Sequence, residues 1–148
     1  MFRKGICAVT IAALLVLSGC ATAPQRHNVQ NNETYALSYD VAWERVVSYF
    51  ASHNIQIKNI AKDSGVIYAE ASTFEEPVAD CGKPGLFAVT GHRATFNVFV
   101  RRVAGGTQVS VNTEFTEGLA FGQNRTTRQC TSRGVLENAI LGAVRSGA

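Results

Sequence analysis

The cysteines are the residues of this sequence whose positions best indicate a chemical role, and Cys20 is the first of them to consider. Arg3 and Lys4 precede a nearly unbroken apolar run from Gly5 to Leu17, and two small residues then lead to the cysteine. A basic start, a short apolar run and a small-residue site are typical of a secretory signal. An apolar run of about a dozen residues is shorter than the roughly 20 that a helix needs to span a bilayer. The sequence therefore predicts an exported protein.

The last four residues of this stretch, Leu17-Ser18-Gly19-Cys20, resemble the lipobox of bacterial lipoproteins. That resemblance implies cleavage before Cys20, diacylation of its thiol and acylation of the new amino terminus. Several acyl chains together make membrane attachment effectively permanent. Ala21 rather than Asp follows the cysteine, which in such lipoproteins implies transport to the outer membrane. We therefore expect residues 1–19 to be a signal peptide and the mature protein to be lipid-anchored in the outer membrane, facing the periplasm. The alternative is a chance apolar start that ends at a cysteine.

Removing residues 1–19 leaves 129 of the 148 residues, which is enough for one domain with a hydrophobic core. Arg3 and Lys4 leave with the signal, so the 14 basic residues fall to 12 against 11 acidic residues. A net charge near +1 gives no electrostatic footprint for nucleic acid. We expect no nucleic-acid partner.

Cys81 and Cys130 are the remaining pair once Cys7 is removed and Cys20 is acylated. An even pair in an exported protein predicts a disulfide. Closing a loop of about 50 residues stabilises the fold by roughly 4 kcal/mol in the chain-entropy model. A metal site that uses both cysteines and His92 is the alternative, but the spacing matches no zinc motif. We expect neither a metal nor a cofactor.

The first half of the domain has clear patterns. Residues 20–32 are polar and are predicted to form a flexible tether to a single domain over residues 33–148. A short strand over residues 33–38 comes before a helix that Ser38 or Asp40 caps and that Asn54 ends. A strand from Ile55 and its hairpin partner, residues 66–71, are joined by a turn with Asp63 and Gly65. The helix has one apolar stripe, made of Trp43, Val46, Val47 and Phe50.

The second half contains one clear hairpin, with strands over residues 93–100 and 108–115 that alternate apolar and polar residues. A final helix is predicted after Thr131 or Ser132, either of which could cap it. Its apolar stripe consists of Leu136, Ile140, Ala143 and Val144.

Two segments, residues 73–92 and 117–129, show no regular pattern and are longer than hairpin connections require. The predicted disulfide would hold them side by side. We expect their apolar residues, ringed by two arginines, to form a partner-binding surface, because interfaces have an apolar centre and a polar rim. The alternative is a set of small satellite cores beneath the loops. The residues concerned are Leu86, Phe87, Leu119, Phe121, Arg125 and Arg128.

The element order predicts an α+β domain, a two-layer arrangement in which two helices pack on one face of an antiparallel sheet of four or five strands. Together with Tyr39-Asp40-Val41-Ala42-Trp43 and Asp63-x-Gly65, this order resembles the helix-grip domains of NlpB/BamC-type outer-membrane lipoproteins. The resemblance implies the helix-grip fold. This chain has one such domain rather than two, and Cys81 and Cys130 lie outside that pattern, so membership of an assembly machine does not follow from the resemblance.

The histidines are too scattered to predict catalysis: His27 lies in the tether, His53 at a helix end, and His92 lacks a nucleophile or carboxylate at a motif spacing. The expected function is therefore a non-catalytic lipoprotein that docks another envelope protein and binds the membrane through its covalent lipid. The alternative is a binding module for a small lipid or glycan.

Overall fold

The computed structural model describes residues 21–75 and 77–147, so the predicted signal peptide and Cys20 lie outside the described residues. Two helices and seven strands follow one another along this part of the chain. In order they are β1 (Asn32–Tyr35), α1 (Tyr39–Ser52), β2 (Gln56–Ala61), β3 (Val66–Ala71), β4 (Ala79–Asp80), β5 (Ala88–Val103), β6 (Gly106–Phe121), β7 (Asn124–Ser132) and α2 (Val135–Ser146). The fold is thus α+β.

Strands β5 and β6 form the centre of an antiparallel sheet with the order β2-β3-β5-β6-β7-β4. They pair along almost their whole length, from Ala88 opposite Ala120 to Val103 opposite Gly106. The other edge of β6 is shared, because β1 pairs with its first residues and β7 with its last. The middle of β5, from Ala94 to Phe99, pairs with β3.

The core forms between the helices and one face of this sheet. Alternate residues of β5 and β6, such as Phe96, Val98 and Val111, are fully buried and belong to one cluster with residues of both helices. The stripe predicted for α1 supplies Val46 and Phe50 to this cluster. Burying such side chains is the main stabilising contribution to the fold, at about 1.5–3 kcal/mol each.

The ends of the first helix follow the sequence prediction. The Ser38 hydroxyl accepts a hydrogen bond from the Val41 N–H at 3.3 Å, and Asn54 adopts a left-handed conformation after the last turn. The second helix differs, because Thr131 and Ser132 belong to β7 and Gly134 stands at the N-cap position with φ +81°. Neither predicted residue therefore caps α2.

The prediction of four or five strands is wrong, since the sheet already has seven strands within the described residues. Residues 117–129 are not an irregular segment: β6 continues to Phe121, and β7 returns from Asn124 as its hairpin partner. The other segment is shorter than predicted, because β5 already begins at Ala88. Pairing between strands, rather than a pattern within either one, determines this part of the fold.

Candidate functional site

The first residues of β5, the last residues of β6 and β7 pair with one another, and we call this part of the sheet the arm. Among the described residues, the loop between β3 and β5 packs over the inner face of this arm. Its Phe74 ring lies 4.6 Å from His92 and 5.0 Å from Phe115, measured between ring centroids. The loop is also attached covalently, because the structure contains the predicted disulfide between Cys81 and Cys130.

A charged network lies inside the arm. Glu117 is only 5% exposed, and its two carboxylate oxygens contact different partners. One lies 3.2 Å from the His92 Nε2 atom, and the other accepts a hydrogen bond from the Arg128 guanidinium. Arg128 also donates to the Lys83 carbonyl at 3.0 Å, which links the arm to the loop. A buried carboxylate needs such partners, because an unpaired buried charge is strongly destabilising.

Three potential metal ligands meet beside this network. The Cys81 sulfur, a His92 nitrogen and a Glu117 oxygen lie within 4.8 Å of one another, next to a cavity of about 340 Å³. However, the sulfur belongs to the disulfide, whereas metals bind thiolates. Glu117 is also neutralised by Arg128. While the disulfide is formed, Cys81, His92 and Glu117 are therefore unsuited to binding a metal cation.

Four apolar side chains are exposed at the end of the arm, and we call them the apolar tip: Leu86, Phe87, Val89 and Phe121. Leu86 is 82% exposed, and Phe87 and Phe121 are 40% and 53% exposed. The two phenylalanine rings contact each other with 5.8 Å between centroids. Exposed apolar patches of this kind commonly mark interaction sites. The structure thus brings together three of the residues predicted for the partner-binding surface.

The other residues of that predicted surface are placed differently. Leu119 is only 7% exposed, because it faces inward opposite Val89, so its assignment to the surface is wrong. Arg128 is also misassigned, since it is directed at buried Glu117 instead of forming a solvated rim. Arg125 is exposed near the start of β7, as a rim residue would be. The surface is therefore smaller and more apolar than predicted.

The segment predicted to be a flexible tether lies along the domain. Thr22 forms an isolated bridge with Lys83, whose N–H donates to the Thr22 carbonyl at 3.1 Å. Farther along, the Asn31 carbonyl accepts a hydrogen bond of 2.7 Å from Val111. These are mainly backbone contacts, which a polar composition does not exclude. The prediction of a free tether is wrong for residues 21–32.

Asp80 fixes the middle of this N-terminal segment. Its carboxylate accepts hydrogen bonds from the Gly82 N–H at 2.8 Å and from the Gln25 N–H at 3.4 Å. His27 lies 3.6 Å away and Arg133 3.7 Å away. The hydrogen bond from the Gly82 N–H is the main cause that holds the pKa of Asp80 below its ordinary value, and the other donors add to this effect. Sequence reasoning missed this role, although an Asp two residues before a Gly is a recognisable turn signal.

The outer face of the sheet carries polar side chains around one exposed aromatic ring. Phe99 is 39% exposed and borders a depression of about 350 Å³. Amide and guanidinium groups surround it, and the Asn31 amide donates to Asn112 at 3.0 Å. The lining residues are Asn31, Asn32, Phe99, Arg101, Ser110 and Asn112. We call this surface the open face.

Neither helix of the described residues is long and apolar enough to cross a membrane. No protein-family model matches the chain, and no curated protein matches it.

Proposed function

We propose that this chain is a non-catalytic lipoprotein of the bacterial envelope, anchored by acyl chains on Cys20 in the outer membrane and facing the periplasm. There it acts as a docking or assembly component for another envelope protein. One observation carries the proposal: the chain contacts its own domain from Ala21 and Thr22 onward. An anchor at residue 20 would then hold the domain in a defined orientation on the membrane. A fixed orientation suits a protein that presents a surface to a partner.

The sequence supports the anchor. Leu17-Ser18-Gly19-Cys20 has the form of a lipobox, and the basic and apolar residues before it have the form of a signal. The disulfide between Cys81 and Cys130 is consistent with an oxidising compartment. The order of strand, helix, hairpins and helix is similar to that of the helix-grip domains of NlpB/BamC-type lipoproteins, which supports the proposed class of envelope lipoprotein.

The open face is the surface that we assign to the partner. Tyr68, Asn97 and Asn112 lie side by side across three strands, so their hydroxyl and amide groups form one row. Phe99 adds an exposed apolar ring beside this row. A polar surface around an aromatic anchor has the composition of a protein interface.

The histidines support a non-catalytic role. The His92 ring is held between Glu117 and Phe74, and His27 lies against Asp80. His53 stacks on Tyr49 with 4.0 Å between ring centroids. A general base needs a positioned nucleophile or substrate proton within hydrogen-bond reach. Each ring has a structural partner, and the Ser52 hydroxyl, which lies 3.1 Å from His53 Nδ1, is within reach of the Tyr49 carbonyl as a donor at 3.0 Å.

The open face also favours a second candidate, a module for a small ligand. The sequence leaves a lipid and a glycan as possible small ligands, and the open face is better suited to a glycan. The Phe99 ring offers an apolar face for a sugar ring, and Asn31, Asn112 and Arg101 offer donors and acceptors for hydroxyl groups.

Photocrosslinking in living bacteria tests the docking function. A photoreactive amino acid at Asn112 should give one discrete protein adduct, whereas the same group at Ser48, exposed on α1, should give none. The Cys20→Ser variant should lose the adduct because the domain leaves the membrane. Equal labelling at both positions would contradict the proposal. Binding of N-acetylglucosamine oligomers that Phe99→Ala abolishes, without a protein adduct, would favour the glycan module.

A further inference from the structure

The apolar tip lies beside the first described residue of the chain. A Cβ atom placed on Gly85 would lie 3.3 Å from the Cβ atom of Ala21. Gly85 directly precedes Leu86, and the Phe87 N–H donates to the Pro84 carbonyl at 3.2 Å, so this turn holds the tip against the N-terminal segment. Consecutive Cα atoms are about 3.8 Å apart, so residue 20 must lie within one residue's length of Ala21.

We propose that the apolar tip inserts into the interface of the bilayer that holds the acyl chains of Cys20. This inference rests on the proposed acylation, and it names the surface that meets the membrane. Ala21 lies beside Gly85, so acyl chains carried by the preceding residue would bring the bilayer close to Leu86 and Phe87. Phe121 reaches the same plane, because its ring contacts Phe87.

The chemistry of the tip suits a lipid interface. Leucine and phenylalanine side chains on a polar protein surface bury apolar area at the boundary between headgroups and acyl chains. All four tip residues are at least 40% exposed in the described chain, so they are accessible to lipid.

The charged groups near the tip agree with this orientation. Lys83 and Arg125 are exposed there, and basic groups at a membrane surface are attracted by anionic headgroups. The neighbouring carboxylates are engaged: Glu117 is paired with Arg128, and Asp80 with His27 and Arg133. Their repulsion of the headgroups is thereby reduced.

The orientation leaves the open face free for the partner. Phe121 ends β6, whereas Val103 ends β5 at the other end of the same hairpin. Fifteen residue steps along β6 correspond to about 50 Å. The tip would thus lie in the membrane while the opposite turn stays in the periplasm, and the sheet between them would stand away from the bilayer.

Tryptophan fluorescence with the acylated full-length protein tests the proposal. Phe121→Trp places a reporter in the tip, and Val103→Trp is the matched control because Val103 is also exposed. Both proteins are reconstituted in vesicles whose lipids carry bromine on the acyl chains. The native Trp43 is buried in both and gives the same background. We expect bromine to quench the added emission of Phe121→Trp at least twofold and to leave that of Val103→Trp unchanged.

Equal quenching of the two variants would overturn the insertion of the tip. Intact mass and vesicle flotation, measured on the same samples, separate this failure from that of the proposed function. An acylated protein that floats with vesicles but shows no quenching at Phe121→Trp keeps its anchor and refutes the inference alone. A protein without acyl groups refutes both. If Phe121→Trp shows no quenching and a photoreactive amino acid at Phe121 crosslinks another envelope protein in living bacteria, the tip binds a protein and the inference is overturned.

Discussion

Replacing Gly82 with alanine should detach the N-terminal segment from the domain. Gly82 has φ +68°, and a Cβ atom there would lie 2.0 Å from the Thr22 carbonyl oxygen. Two non-bonded heavy atoms cannot remain at that distance. Since Gly82 is fixed by Asp80 and by the neighbouring disulfide, Thr22 is the group that must move.

The size of the effect follows from what Thr22 loses. A non-glycine residue in the left-handed region costs roughly 1–2 kcal/mol, which reduces the stability of the loop itself. Moving Thr22 also breaks both hydrogen bonds that the Lys83 N–H donates to it, one to its carbonyl at 3.1 Å and one to its hydroxyl at 3.0 Å. At about 1 kcal/mol for each hydrogen bond, the segment loses about 2 kcal/mol of attachment. The detached population should then rise about 30-fold.

Trypsin cleavage after Arg26, an exposed residue of the segment, measures that population, because cleavage under native conditions follows the fraction of open chain. The matched control is Gly105→Ala. Gly105 has φ +83° but nothing within 4 Å of the Cβ position. Alanine at this position is therefore strained in its backbone, as at Gly82, but its Cβ atom collides with no other group. We expect Gly82→Ala to be cleaved about 30-fold faster than the control. Equal rates in the two variants would show that the segment is not attached through Thr22.

Three further outcomes follow from the same structure. Replacing both disulfide cysteines with alanine should lower the free energy of unfolding by roughly 4 kcal/mol, measured by urea denaturation; an unchanged midpoint would mean that the crosslink contributes nothing. Asp80 has a lowered pKa, so its stabilising contribution is present above the ordinary carboxyl pKa and is lost as the pH falls through the lower folded value. Hydrogen exchange at the segment, corrected for intrinsic rates, should therefore rise below about pH 4 and should lose this dependence in Asp80→Asn. Phe87→Ala with Phe121→Ala should cost about 1 kcal/mol in thermal unfolding, against about 3–5 kcal/mol for fully buried Phe96→Ala; a loss as large as that of Phe96 would identify the tip as a small core.

The parts of the fold that a residue pattern determines were predictable. Strand β3 alternates as predicted, follows a turn with Asp63 and Gly65, and has the predicted bounds. Its partner β2 forms as well, although a register shift between Ile57 and Asn59 interrupts its alternation. The helix α1 has its cap at Ser38 and its stripe at the predicted positions. In each case the local pattern and the packing of the core require the same conformation.

The arm could not be predicted in this way. Strand β7 begins Asn-Arg-Thr-Thr-Arg-Gln, which lacks the apolar alternation of a half-buried strand. It forms because β6 supplies a partner edge, and that pairing depends on residues elsewhere in the chain. Likewise, buried Glu117 could not be recognised without its partners Arg128 and His92.

The exposed aromatics of the tip were predicted because they stood apart from the apolar pattern of the sheet. The surface assignment of Leu119 is wrong because residue 119 belongs to β6, and in a strand alternate side chains face inward. The prediction that the N-terminal segment is a free tether is wrong for a different reason. Amino-acid composition indicates how much apolar surface a segment can bury, but it does not indicate which backbone hydrogen bonds the segment forms.

The intact mass of the protein extracted from bacterial membranes tests the central claim most directly. We expect a chain that begins at Cys20 and carries a diacylglyceryl group on its thiol and an acyl group on its amino terminus. Cys20→Ser should shift the protein out of the membrane fraction. An unmodified chain that begins at another residue, found in the same membrane fraction, would contradict the anchor and the orientation that we derive from it.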